Sequence, residues 1–215
     1  EHDMLVPVSN MSDVDDKRRL EMLVECSSRY CRTRRVGRAS ILDFGCGRGS
    51  FVDRLSKLQG VDAVGFDPSN PRFDEMPLCR GGFDIVTAFH VVEHLSNPIC
   101  TLGNLPVKDG GTLVVEVPHA RDWLLHNCPS FRDFSLWSQH LILHTELTLN
   151  RLLDMAGYSD IQVFGVQRYP FANHMQCWTQ GKPGCMKEHP ALDREYARHL
   201  DNAHATDTLV AFARR

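Results

Sequence analysis

The stretch "ILDFGCGRGSFVDRL", residues 41–55, constrains the fold more than any other part of this 215-residue chain. A short apolar run closes on Asp43. Gly45, Gly47 and Gly49 follow, and Phe51, Val52, Leu55 and Leu58 then recur at helical spacing. That order predicts a buried strand, a turn almost without side chains, and a helix. Glycine reaches backbone angles closed to other residues and lets a ligand approach the main chain. In an open α/β sheet, ligands sit beyond the carboxyl ends of the strands, which is where this turn falls.

The rest of the chain repeats the alternation. "VDAVGF" (61–66), "FDIVTAF" (83–89) and "GTLVVEV" (111–117, introduced by "KDGG") read as strands, and "DIQVFGVQ" and "DTLVAFA" as two late ones. Residues 14–30 and 145–157 read as helices, the second opened by Thr145 and closed by Gly157. Another helix starts near Ser96–Asn97–Pro98. Strands alternating with helices predict an α/β fold with a mostly parallel, doubly wound, Rossmann-like sheet and helices on both faces. A single domain over 1–215 is expected. It would comprise an N-terminal helix or lid (1–37), a core (38–165), and irregular segments at 118–144 and 168–206 on the substrate side.

Bulk properties exclude several classes. A net charge of -3 and only a short basic patch, "CRTRR", give no reason to expect a nucleic-acid partner. No apolar run reaches the roughly 18 residues of a membrane span. No leader segment is recognised. The eight cysteines are scattered without a C-x-x-C pair, which fits a reduced, cytoplasmic protein without structural zinc.

The ligand follows from two acids. Asp67 closes the second strand, and a carboxylate there can accept hydrogen bonds from both hydroxyls of a ribose. Asp43 places negative charge where a phosphate would be repelled, so an ammonium or sulfonium is favoured. The glycine spacing also differs from the G-x-G-x-x-G of dinucleotide enzymes.

At these residues the sequence resembles the class I S-adenosylmethionine-dependent methyltransferases. "LDFGCGRG" is similar to their first motif, "GFDPS" to the second, "FDIVTAFHVVEHLSNP" to the fourth, and "GGTLVVEVP" to the fifth strand and its turn. "HTELTLNRLLDMAGY" resembles their late helix. "SNMSDVDDKRRLEML", "QRYPFANH" and "GKPG" resemble a bacterial subgroup associated with surface-polysaccharide and small-molecule biosynthesis. The resemblance implies S-adenosylmethionine as cofactor and S-adenosylhomocysteine as product, with an antiparallel last strand. Asp43, Gly45, Cys46, Gly47 and Gly49 would surround the methionine part. Asp67 would hold the ribose, Phe66 and Pro68 would border the adenine, and Phe89 and His90 would lie near the methyl group. Only 15 residues separate Asp67 from Phe83, where the family usually fits a helix and another strand. The sheet is therefore expected to be shortened around the third family strand.

"HVVEH" (90–94) also matches the H-x-x-E-H of a zinc peptidase. That pattern needs both histidines on one helix face, whereas His90 here falls at a strand end, so no metal is expected. Transfer of a methyl group to a hydroxyl or an amine needs a proton removed, and histidine suits that near neutral pH. The candidates for this base, in order, are His140, His174 and His90. Glu93, His94, His119, Trp137, His144, Tyr169 and Asn173 are candidates for holding the acceptor. Trp123, Phe131, Phe134 and Phe171 are candidates for roofing it. The expected partner is a small polar molecule such as a sugar or nucleotide sugar, and a homodimer is compatible with the sequence. Two rivals are a nicotinamide-dependent oxidoreductase and a non-catalytic binding module of the same fold.

Overall fold

The computed structural model describes residues 8–30, 39–77, 81–136, 139–184 and 187–215. Six strands form one sheet in the order β2-β1-β3-β4-β6-β5. They are β1 (Ala39–Phe44), β2 (Val61–Phe66), β3 (Phe83–Phe89), β4 (Val107–Pro118), β5 (Ser159–Val166) and β6 (Thr208–Arg214). β1 pairs in parallel with β2, Asp43 opposite Gly65, and with β3, Asp43 opposite Thr87. β6 runs against β4. The Gly110 N–H donates to the Arg215 carbonyl at one end, and the His119 N–H to the Asp207 carbonyl at the other. The fold is α/β and Rossmann-like, with the expected antiparallel last strand. No strand occurs among the described residues between β2 and β3.

The chain divides into two compact units. The first comprises Glu1–Phe89, Asn104–Val114 and Ala213–Arg215. Leu42 and Val86 on neighbouring strands have no exposed surface, as a strand covered on both faces requires. Phe51, Val52 and Leu55 of α2 (Ser50–Leu55) complete this core. α1 (Val8–Tyr30) starts earlier than expected and packs against α2. β4 begins before the "KDGG" turn rather than after it. Its ladder continues through the glycines because Gly110 takes a φ of 74° and Gly111 lies where a side chain would meet the Lys108 carbonyl.

The second unit comprises His90–Gly103 and Val115–Phe212. It opens with a 3-10 turn at Val92–His94 and α3 (Pro98–Gly103). The segments without a sequence assignment hold α4 (Trp123–Asn127), α5 (Pro129–Ser135) and α7 (Phe171–Gln180). The first two are too short to display an apolar period. The buried face of α7 is Asn173, His174 and Cys177, which no hydrophobic pattern reveals. α6 (Glu146–Met155) is opened by Thr145 in a reciprocal capping box with Thr148. α8 (Pro190–Asn202) precedes β6. Among the described residues no helix is long and apolar enough to cross a membrane, and Cys46, Cys100, Cys128 and Cys177 are free thiols.

Candidate functional site

In the first unit the turn after β1 is built on left-handed glycines, with φ of 77° at Gly45, 54° at Gly47 and 80° at Gly49. The Gly45 and Cys46 N–H groups both donate to the Phe66 carbonyl at the end of β2, at 2.7 and 3.1 Å. Asp67 folds back onto the same turn. Its Oδ2 accepts the Gly47 N–H at 2.8 Å, and its Oδ1 accepts the Ser69 N–H at 2.9 Å. Partial burial pushes the Asp67 carboxyl upward, but the hydrogen bonds from Ser69 and Gly47 outweigh it and hold the group below its ordinary value. A Cβ on Gly47 would meet nothing within 4 Å, so this side of the turn is open. A Cβ on Gly49 would instead strike the ring of Phe73. The bareness at Gly49 therefore serves packing of the 67–77 segment.

Asp43 is 4% exposed, and its Oδ1 accepts the Thr87 hydroxyl at 2.6 Å. Burial raises its pKa to about 6. Asp16 and Asp67 push the same way, against the Thr87 hydrogen bond and the Arg19 charge. Burial, with Asp43 and Asp67, pushes the Cys46 thiol up to about 12, so it is no nucleophile. α1 contributes Asp15 and Asp16, both buried, and Arg19, whose guanidinium lies 4.6 Å from the centre of the Phe89 ring.

In the second unit His90 holds a left-handed backbone, φ 54°, unusual for a residue with a side chain. Its N–H donates to the Glu116 carbonyl at 2.8 Å. Its Nδ1 lies 3.2 Å from Glu93 Oε1, and its Nε2 lies 2.8 Å from Arg168 Nη1 and 3.2 Å from Glu116 Oε1. Both ring nitrogens are thus engaged, Nδ1 by Glu93 and Nε2 by Arg168 and Glu116. Glu93 and Glu116 have no exposed surface. The Glu93 carbonyl accepts the Leu141 N–H at 2.8 Å, and His94 Nδ1 is 2.7 Å from the Gln139 carbonyl. These two bonds bring residues 139–141 beside the 3-10 turn.

The methyltransferase-domain family matches residues 17–163. The chain belongs to that family. No curated protein matches the methyltransferase. Its fold resembles an S-adenosylmethionine-dependent methyltransferase from Archaeoglobus fulgidus at 19% identity and a TM-score of 0.53, covering 91% of this chain and 94% of that one. It also resembles phosphoethanolamine N-methyltransferase 2 of Haemonchus contortus in complex with S-adenosyl-L-methionine. There the identity is 14% and the TM-score 0.55, over 91% of this chain and 52% of the other. The methyltransferase is thus of the class I, S-adenosylmethionine-dependent type.

The remaining histidines differ in what surrounds them. His174 is 2% exposed, its Nδ1 2.7 Å from the Tyr196 hydroxyl and its Nε2 3.1 Å from Gln167 Nε2. Burial lowers its pKa to about 4. With both nitrogens engaged, it packs between α7 and α8. His119 and His144 are buried and bridge to one another through their backbones. His119 Nδ1 sits 2.9 Å from the Thr206 carbonyl. Burial lowers the pKa of His119 against the pull of Glu146, and that of His144 against the pull of Glu93. Asn173 is buried in α7, and the Tyr169 N–H donates to Asp207 Oδ2 at 3.1 Å. These residues hold the second unit together. His140 is half-buried, Nδ1 2.8 Å from the Ser135 carbonyl. Trp137 lies outside the described residues.

Sequence reading missed Glu116, Arg168 and Asp207 as members of these clusters. Glu116 left one signal, an acid within the apolar run "LVVEV". A cavity of about 580 Å³ lies between α6, β5 and the end of α8, lined by Arg121, Glu146, Phe164 and Asp201. It contains none of the sequence-predicted site residues.

Proposed function

We propose that this methyltransferase moves the methyl group of S-adenosylmethionine to a small polar acceptor of the sugar or nucleotide-sugar type. The observation that carries the donor half is the Asp67 carboxylate seated on the Gly47 N–H, beside an open face of the glycine turn. In this reading Asp43, Gly45, Cys46 and Gly47 line the amino-acid end of the donor. Gly49 closes the turn, Asp67 takes the ribose hydroxyls, and Phe66 and Pro68 border the adenine. Phe89, the last residue of β3, and His90, next in the chain, are assigned to the sulfonium end. The buried Asp43 suits a cationic ligand, because an ammonium or sulfonium nearby favours its ionised form.

Methyl transfer from a sulfonium is an in-line displacement, so the protein chiefly aligns nucleophile, methyl and sulfur. The methyl carbon leaves sulfur with its bonding pair remaining there, and the acceptor loses a proton. Of the three candidate bases, His140 is the one this reading keeps beside the acceptor, with Glu93 and His94. His90 is occupied by Glu93 and Arg168, and His174 by Tyr196 and Gln167. Glu93 and His94 belong to the acceptor side, with His119, His144, Tyr169 and Asn173 supporting it.

Calorimetry with S-adenosylhomocysteine tests the donor half. Wild type should bind it, and Asp67→Ala should bind about 10- to 100-fold more weakly, as loss of hydrogen bonds to a charged group predicts. Equal affinity in the variant would remove Asp67 from the site. Mass spectrometry of a metabolite extract incubated with the enzyme and a methyl-labelled donor tests the acceptor half. Label appearing only in macromolecules would overturn the small-molecule reading.

A further inference from the structure

We infer that Glu93, His94 and His140 form a binding site for a divalent first-row transition-metal ion. Each offers one donor atom, and the three atoms all lie within 4.8 Å of one another. An ion with bonds of about 2.0–2.2 Å holds its donors roughly 3–3.5 Å apart, so side-chain rotation closes the set. The backbone already fixes the approach, through the Leu141 N–H on the Glu93 carbonyl at 2.8 Å.

The carboxylate carries the strongest argument. Glu93 has no exposed surface, and its Oε2 is buried with no hydrogen-bond partner among the described residues. A buried carboxylate oxygen left unpaired is costly, and a cation is the partner that removes the cost. The other oxygen, Oε1, is taken by His90 Nδ1 at 3.2 Å.

The histidines are set for ligation. His94 Nδ1 lies 2.7 Å from the Gln139 carbonyl and His140 Nδ1 2.8 Å from the Ser135 carbonyl. A carbonyl can only accept, so each Nδ1 carries a proton, and ligation falls to Nε2. This is the outer-sphere arrangement that orients metal-bound imidazoles. The ring centroids are 5.0 Å apart at 45°, a tilted pair rather than a stack. Two imidazoles and one carboxylate favour zinc, iron(II), manganese or cobalt over calcium, which takes an all-oxygen cage. The "HVVEH" stretch does not act as a peptidase helix, because Val92–His94 is a 3-10 turn. Its Glu-His half instead meets a histidine from 46 residues further on.

Three protein ligands leave coordination positions open. Resting on the methyltransferase reading above, an acceptor hydroxyl bound there would give up its proton to water more readily, and His140 would be a ligand rather than a base.

The test is calorimetric titration of chelator-treated full chain with zinc chloride, backed by the visible absorption of the cobalt(II) form. Wild type should take up one ion per chain. Glu93→Gln and His140→Ala should bind at least about tenfold more weakly, since even outer-sphere losses cost that much. His204→Ala, an exposed histidine outside the cluster, should bind as wild type does. Circular dichroism checks folding, and His140→Gln replaces any variant that fails it. No uptake by wild type, or unchanged affinity in the cluster variants, would overturn the site. S-adenosylhomocysteine binding is measured separately in metal-free protein, so a failure of the donor reading and a failure of the metal site give different results.

Discussion

Asp43 shows how one residue can couple ligand binding to pH. Its buried carboxyl has a pKa of about 6 against an ordinary 3.8. Between those values the folded chain holds a proton that the unfolded chain has lost, so stability falls as pH rises through the window. Above it, ionised Asp43 costs on the order of 3 kcal/mol. Asp43→Asn should therefore gain stability relative to wild type at pH 7.5 and show no such gain at pH 4, by urea unfolding at both values. If the carboxylate faces the cationic end of the donor, S-adenosylhomocysteine affinity should also rise as pH passes about 6 in wild type and stay flat in Asp43→Asn. A parallel rise in the variant would place the titrating group elsewhere. The acid itself was legible in the sequence because it ends an apolar run before the glycines. Its protonation was not, because that depends first on burial in the folded sheet and then on Thr87, Arg19 and Asp16, brought in from β3 and α1.

At the scale of elements, the turn between β1 and α2 is held from outside by the segment after β2. The Asp67 N–H donates to the Phe73 carbonyl at 2.8 Å, and Asn70 Nδ2 to the Gly47 carbonyl at 2.6 Å. Gly49→Ala carries two penalties, a φ of 80° and a collision with the Phe73 ring. Together they should destabilise by about 2–4 kcal/mol. In a Phe73→Ala background only the backbone strain remains, so the second-site cost should fall to about 1–2 kcal/mol. Additive effects in that cycle, read from urea midpoints, would mean the ring does not rest on Gly49. The strands and the capped α6 were readable because their signals are local: alternating or continuous apolar runs, Thr145 before the helix and Gly157 after it. α7 was not, because polar side chains form its buried face. Nor was the meeting of His90 with Arg168, since a single sequence carries no record of which distant residues touch.

Across the whole molecule, two sets of buried titratable groups pull stability in opposite directions over the same pH range. Burial lowers the pKa of His119 and His144 and takes His174 from 6.5 to about 4. Those rings stay neutral when folded, so the unfolded chain binds more protons and stability falls as pH drops from about 6.5 towards 4. Burial raises Asp43 to about 6, Asp122 from 3.8 to about 7, and Asp207 in the same direction. For these acids stability falls as pH rises through the window. Wild-type stability should therefore vary less between pH 4 and 7 than either set alone would make it. Asp122→Asn keeps an acceptor for the Leu124 N–H, which Asp122 now caps at 2.8 Å, while removing one acid. Its stability should climb with pH relative to wild type. His174→Gln should do the reverse and lose stability with rising pH relative to wild type. Each change should be on the order of 3 kcal/mol across the window, measured from urea midpoints at pH 4.5, 6 and 7.5. Parallel pH profiles for wild type and both variants would show that neither group is held at the ionisation its burial demands.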